Sequence, residues 1–340
     1  MSNHGAAPTL DDVAKKAGVS TATVSRCLNT PDRVVEATRK RVMQAVETLG
    51  YTPNFAARVM AAKRTFTIGA IIPTMENAIF ARGLQAFQEE LHSCGYTLLV
   101  ASSAYKPEVE EEQIKALVAR GADGLLLIGH DRGAPIYDYL ERQKVPALSA
   151  WSFIADGLIP SIGFDNCKAM HALSDEVIKL GHTKVAMISG MIKGNDRARL
   201  RLAGLRKSLS AHGLDGDGLA VIETSYEVEN GAKAFTELMS ARARPSVVMC
   251  GNDVLAVGAL LGARRMGLSV PKDVSITGFD DIELASIVSP ALTTVHVPHR
   301  EMGRKAARQL VEMVEQKSDG VSVNLETSIV MRESLAAVNS

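Results

Sequence analysis

From Phe66 onward the chain alternates short apolar runs with helical patterns, and that alternation leaves few folds open. FTIGAIIP is followed by helical patterning over 79–94, then YTLLVASS, a helix over 108–120, ADGLLLIG, a helix over 134–143 and PALSAW. The pattern restarts after SIGFD at 161–165. Helices over 167–180, 196–212, 230–241 and 254–266 there alternate with KVAMISG, AVIET, SVVMCG and VSITGFDD. The apolar runs are too short for helices and read as buried strands. Strands separated by helices pair in parallel and carry helices on both sheet faces. Two such units in succession predict two similar lobes with a cleft between them. In sheets of this kind ligands bind beyond the carboxyl ends of the strands. Those ends are Pro73–Glu76, Gly129–His130, Ala150–Trp151, Gly190, Gly251–Asn252 and Asp280–Asp281.

The N-terminal part reads differently. In TLDDVAKKAGVSTATVSRCLN (9–29), Leu10, Val13, Ala14 and Ala17 fall on one helix stripe. Gly18 supplies the left-handed residue that ends a helix cheaply. Ser20 is a good N-cap for a second short helix. Val24 and Leu28 can pack that helix back onto the first, leaving Thr21, Ala22, Ser25, Arg26 and Asn29 on its outer face. Two short helices joined by a glycine-containing turn describe a helix-turn-helix, whose second helix enters the DNA major groove by its N-terminal end. The bland alternative is an ordinary helix corner. VVEATRKRVMQAVETL (34–49) predicts a third helix with Val35, Thr38, Val42, Ala45, Val46 and Leu49 on one side, stopped by Gly50. The connector over 51–65 contains Asn54–Ala62, about two helical turns, too short to be stable alone in water. It is expected to fold against DNA or a second copy.

Charge supports a nucleic-acid role. The chain carries 38 basic and 38 acidic residues, but residues 1–65 hold ten Lys/Arg against five Asp/Glu. A basic module on an acidic body suits DNA, because phosphate contacts supply much of the affinity. The 340 residues predict two or three domains, and 46% apolar residues suffice for sizeable cores. Cysteines 27, 94, 167 and 250 are scattered, so neither a disulfide framework nor a zinc site is indicated. The sequence has no signal-peptide pattern and no apolar run of membrane-spanning length, so a cytoplasmic protein without a membrane partner is expected. No cofactor is expected.

These motifs carry a family resemblance. DVAKKAGVSTATVSRCLN, LGYTPN, FTIGAIIP, LGHTKVAMISG, RLRLAGL, GNDVLAVGAL and ITGFDD occur in the order seen in the lactose repressor/galactose repressor family of bacterial transcription regulators, which the whole chain resembles. YKPEVEEEQ and GFDNCKA are most similar to gluconate-responsive members. The resemblance implies an α/β protein with a three-helix DNA-binding head at 1–50, a hinge at 51–65, and a two-lobed sensor at 66–340. That sensor would be like the periplasmic binding proteins, with parallel sheets. It implies a homodimer, in some members a tetramer, on near-palindromic operator DNA; the short polar C-terminus RESLAAVNS lacks a leucine heptad and favours the dimer.

The resemblance also assigns residues. Thr21 and Ala22 occupy base-reading positions, and Arg26 matches a further base contact, where arginine can donate two bonds to guanine. Ser20, Thr23, Ser25 and Asn29 fall where members touch phosphate, which positions without specifying. For each small residue alone, helix capping or surface filling is the competing role. Met60 stands where members place a leucine wedge in the minor groove; packing the hinge helix against its mate is the alternative. Arg201, Asn252 and Asp280 match effector contacts. An aspartate or asparagine can accept from sugar hydroxyls, and an arginine can grip a hydroxyl pair or a carboxylate. Asp253 is read as the N-cap of the following helix. Phe80, Trp151 and Met75 are expected to supply apolar walls from the first lobe, with a core role for Trp151, the only tryptophan, equally open. The family's acidic ligand near residue 150 is unmatched in SAWSF, which favours an acidic sugar over a plain pyranose. The expected function is a repressor whose operator affinity is controlled by a sugar or sugar acid held between the lobes. The alternative is a periplasmic-type sugar-binding protein without a DNA role. An enzyme is disfavoured, as GxGxxG after the first strand, a P-loop, GxSxG and metal-ligand clusters are all missing.

Overall fold

The computed structural model describes residues 7–52, 64–76 and 78–338, and the chain divides into two compact units, Met1–Thr65 and Phe66–Ser340. The first holds helices α1 (Leu10–Ala17), α2 (Thr21–Asn29) and α3 (Glu36–Leu49). Thr9 and Asp12 form a reciprocal capping box at the start of α1, and Gly18 ends it at φ 65°. Val13, Ala14, Ala17, Val24, Cys27, Val42, Ala45 and Tyr51 make a small closed core. The third helix begins two residues later than its pattern suggests. Pro31–Arg33 form a short 3-10 turn, and Val35 is a non-helical N-cap residue with its side chain exposed.

In the second unit, β1 (Thr67–Ile72), α4 (Ala78–Ser93), β2 (Thr97–Ser102), α5 (Pro107–Ala119), β3 (Gly124–Ile128), α6 (Ala134–Gln143), β4 (Ala147–Ala150) and β5 (Ser161–Gly163) come first. Next are α7 (Asn166–Lys179), β6 (Val185–Gly190), α8 (Asp196–Ala211), β7 (Ala220–Thr224), α9 (Val228–Ser240), β8 (Val247–Cys250), α10 (Asp253–Arg265), β9 (Ser275–Thr277) and α11 (Glu283–Ile287). The chain closes with β10 (Thr294–His296), α12 (His299–Val314), β11 (Val323–Asn324) and β12 (Ser328–Val330).

The first lobe's sheet has the order β11-β5-β4-β3-β1-β2 and the second lobe's the order β7-β6-β8-β9, with every pairing parallel. The central strands β1, β3 and β8 are buried along their whole length, as sheets covered on both faces require. Edge strand β2 is half exposed. Helices press on the sheets through large side chains such as Phe87 and Phe235, each fully buried and contributing about 1.5–3 kcal/mol.

The lobes are not consecutive in sequence. Helix α12 packs on α4 of the first lobe, where a Cβ on Gly303 would strike the Gly83 carbonyl. Strand β11 joins the first sheet beside β5, and β12 pairs antiparallel with β10. The chain therefore passes between lobes three times, near 164–166, 297–299 and 325–328. The alternation of runs and helices did not carry this return, because each late strand is only two or three residues long.

Candidate functional site

Both sheets reverse their winding at a switch point, between β1 and β3 in one lobe and between β6 and β8 in the other. Residues just beyond the carboxyl ends meet there. One cavity is lined by Ile79, Phe80, Tyr105 and Trp151 from the first lobe and by Asn195, Arg197, Arg201, Tyr226 and Asp280 from the second. Its space measures about 20 Å³, enough for one water molecule. A sugar enters only if the lobes part or the Tyr105 and Tyr226 rings, 5.6 Å apart, swing aside.

Arg201 organises the polar wall. Its side chain is 6% exposed and that of Asp280 is 0% exposed. Nε donates to Asn166 Oδ1 at 2.9 Å, Nη1 to the Gly251 carbonyl at 2.6 Å and Nη2 to Asp280 Oδ1 at 3.0 Å. The guanidinium lies 3.7 Å over the Phe279 ring, a cation–π contact made stronger by burial. Two of its five N–H groups remain for another acceptor. The other oxygen of Asp280, Oδ2, is buried without a partner among the described residues. Asp280 itself sits at φ 102°, a strained conformation of the kind that collects at binding sites.

The aromatic wall is Trp151, at φ 63°, with Phe80 edge-on at 5.3 Å between ring centres. Burial pushes the Tyr105 and Tyr226 phenols well above their ordinary pKa, so both stay neutral donors. Asn195 caps α8 and donates to the Tyr226 hydroxyl at 3.2 Å. Arg197 Nη1 pairs with Asp196 Oδ1 at 2.9 Å, and Asp196 Oδ2 accepts from the His130 backbone across the cleft at 2.9 Å. Arg199 adds a two-bond contact to Asp131 at 2.6 and 2.8 Å.

Of the effector residues expected from sequence, Arg201, Asp280, Phe80 and Trp151 come together in this cavity. Met75 does not: it is 61% exposed on the turn after β1 and is absent from the lining. Asn252 is buried, but its Oδ1 caps α10 by accepting from Leu255 at 2.9 Å, and it too is absent from the lining. The N-cap expected at Asp253 is thus Asn252. Asp253 instead ties down the loop after β9, accepting from the Ile282 amide at 2.8 Å and the Thr294 hydroxyl at 2.6 Å. Sequence reading missed Tyr105, Asn195, Arg197 and Tyr226. Asn195 and Arg197 stand six and four residues before Arg201, at the cap and in the first turn of the same helix, and Tyr105 and Tyr226 each follow a strand end, which was the available signal.

In the first unit, Thr21, Ala22 and Arg26 are exposed on α2, and Thr23 and Ser25 are half-buried. Ser20 is the N-cap, accepting from the Thr23 amide at 3.2 Å. Met60 and the hinge over 53–63 lie outside the described residues, as does the Asn29 side chain. Among the described residues no helix is long and apolar enough to cross a membrane, and no acidic, His or Cys cluster could hold a metal.

Comparison with known proteins agrees with both units. Residues 9–54 match the model of bacterial regulatory proteins of the lacI family, and 174–335 that of the periplasmic binding protein-like domain. Catabolite control protein A of Priestia megaterium is 30% identical over 96% of this chain and 98% of its own. The crystal structure of the lac repressor dimer bound to operator and the anti-inducer ONPF superposes with a TM-score of 0.85 at 27% identity, over 97% of this chain and 99% of that one. The complex of the transcriptional regulator CelR with cellobiose gives 0.72 at 29% identity, over 96% and 99%. A binding protein without a DNA role is thereby ruled out, since the head matches as fully as the sensor. The chain, from its capped helix-turn-helix to its cleft of reversed sheets, belongs to the lacI family of DNA-binding transcriptional regulators.

Proposed function

We propose that this regulator is a cytoplasmic homodimeric repressor whose cleft binds a polyhydroxylated effector, a sugar or sugar acid, and that the effector sets operator affinity through the angle between the lobes. The observation that carries the reading is the unpartnered Asp280 Oδ2, buried in the cavity beside Arg201, which has two N–H groups to spare. Vicinal hydroxyls can donate to that oxygen and accept from those N–H groups, and Trp151 with Phe80 offers an apolar face to a sugar ring. The cellobiose complex of CelR supports a sugar in such a cleft.

The finer proposal is a sugar acid such as gluconate. Its support is the resemblance of YKPEVEEEQ and GFDNCKA, the missing carboxylate in SAWSF, and Arg197, a second guanidinium on the lining. The head would bind DNA through exposed Thr21, Ala22 and Arg26, with Ser20, Thr23, Ser25 and Asn29 at the phosphates and Met60 as the wedge. An effector changes DNA affinity only if it binds the two lobe arrangements unequally.

The test is a thermal-shift screen of sugars and sugar acids, followed by operator-release titrations of the hit. Asp280→Ala should raise the midpoint roughly ten- to a hundredfold, since a hydrogen bond to a charged group is worth about 1.5–3 kcal/mol. An unchanged midpoint in a folded variant would move the effector out of this cavity.

A further inference from the structure

The two walls of the cavity are joined by a closed ring of hydrogen bonds. Trp151 Nε1 donates to His299 Nδ1 at 3.2 Å. An indole nitrogen can only donate, so Nδ1 accepts and the imidazole proton sits on Nε2. Nε2 then donates to the Asp280 carbonyl at 3.1 Å. The Asp280 carboxylate accepts from Arg201, Arg201 donates to Asn166, and Asn166 Nδ2 donates to the Trp151 carbonyl at 3.0 Å. Donor and acceptor roles around the ring allow one arrangement only. His299 opens α12, on the chain segment that has just crossed from the second lobe. The two residues it bridges, one per lobe, are both non-glycine residues at positive φ and both line the cavity.

We infer that His299 is a positioning residue for the effector site, whose neutral Nε2–H form locks the Trp151 wall to the Asp280 wall so that a change at one is transmitted to the other. This rests on the cavity being the effector site, but its test needs no effector. Burial keeps the imidazole below its ordinary pKa. The charges around it are Asp280, which favours protonation, and Arg201 and Arg82 of α4, which oppose it. A second proton would have to go on Nδ1, facing the indole N–H donor to donor. The ring would then open at Trp151.

Trp151 is the only tryptophan, so emission of the full-length protein reads the ring directly. Titrated from pH 8 towards acid, the wild type should dim in one step with a midpoint below 6.5, since a protonated imidazole quenches an adjacent indole. H299F should abolish the step. In D280N the midpoint should fall below the wild type's, because the carboxylate that attracts the proton is gone. Emission unchanged down to the onset of acid unfolding would overturn the inference. So would a step surviving in H299F, or a D280N midpoint equal to the wild type's. If H299F does not fold, the wild-type and D280N titrations decide alone. A failure here leaves the effector reading standing, because sugar titrations of the operator complex test that separately.

Discussion

Replacing Arg201 with methionine should expose how much of the second lobe hangs on one buried pair. The substitution keeps length and apolar contact with Phe279 but leaves the Asp280 carboxylate, 0% exposed, without its cation. It also removes donors from Asn166 and the Gly251 carbonyl. Breaking a buried pair from one side costs about 3–5 kcal/mol, because a charge is left uncompensated. For a unit of this size each kcal/mol moves Tm by about 2–4 °C, so the sensor transition should drop by roughly 6–20 °C. The assay is differential scanning calorimetry of the full chain. The double variant R201M/D280L, which removes both charges, should recover most of the loss, since apolar replacement of a buried pair is often close to neutral. Effector release of operator DNA should need a higher concentration in both than in the wild type. A single variant within about 1 kcal/mol of the wild type would refute the premise that Asp280 depends on Arg201.

Two further outcomes follow. Arg26→Ala should weaken operator binding by about 1–3 kcal/mol at one position and relax discrimination there, read by gel shift against single-base operator variants; equal selectivity would remove Arg26 from base reading. Asp253, pushed up to about 8 by burial and then by the charge of Asp280, holds its proton in the folded state where the unfolded chain has lost it. The folded state therefore binds more protons between about pH 4 and 8, and stability from this group falls as pH rises through that window. D253N should flatten that slope in urea titrations at pH 5 and 8, and an identical slope would mean that Asp253 is ionised in the fold.

Much of the architecture was readable from pattern. Strands such as ADGLLLIG and SVVMCG are apolar because both sheet faces are covered, and that burial is what writes a continuous run. The first two head helices were equally legible, since Gly18 and Ser20 are local signals with local causes. What failed to show is what depends on distant partners. His299, Met302, Ala306 and Leu310 belong to a helix of the first lobe, but their place comes from Gly83 and Phe87 more than two hundred residues earlier. Arg201 and Asp280 were picked out by motif. Tyr105 and Tyr226 were not, because a tyrosine after a strand reads the same whether it faces solvent or a cleft. Met75 failed for the same reason in the other direction.

The interleaving of the lobes sets an order of events during synthesis. The head closes its core within residues 10–51 and has everything it needs once the hinge has left the ribosome. The first lobe does not. Its sheet lacks β11 and its helix layer lacks α12 until residues 299–324 emerge, long after β5 is made. At about 5–20 residues per second the gap between residues 163 and 314 lasts roughly 8–30 s. During that time the apolar face of α4 waits for a cover that the ribosome has yet to supply. The second lobe, whose sheet is finished at β9, is made in that interval. A chain cut short near residue 296 would therefore not be a regulator lacking one lobe's tail. It would be a finished DNA-binding head, a nearly finished second lobe, and a first lobe that never had its last helix.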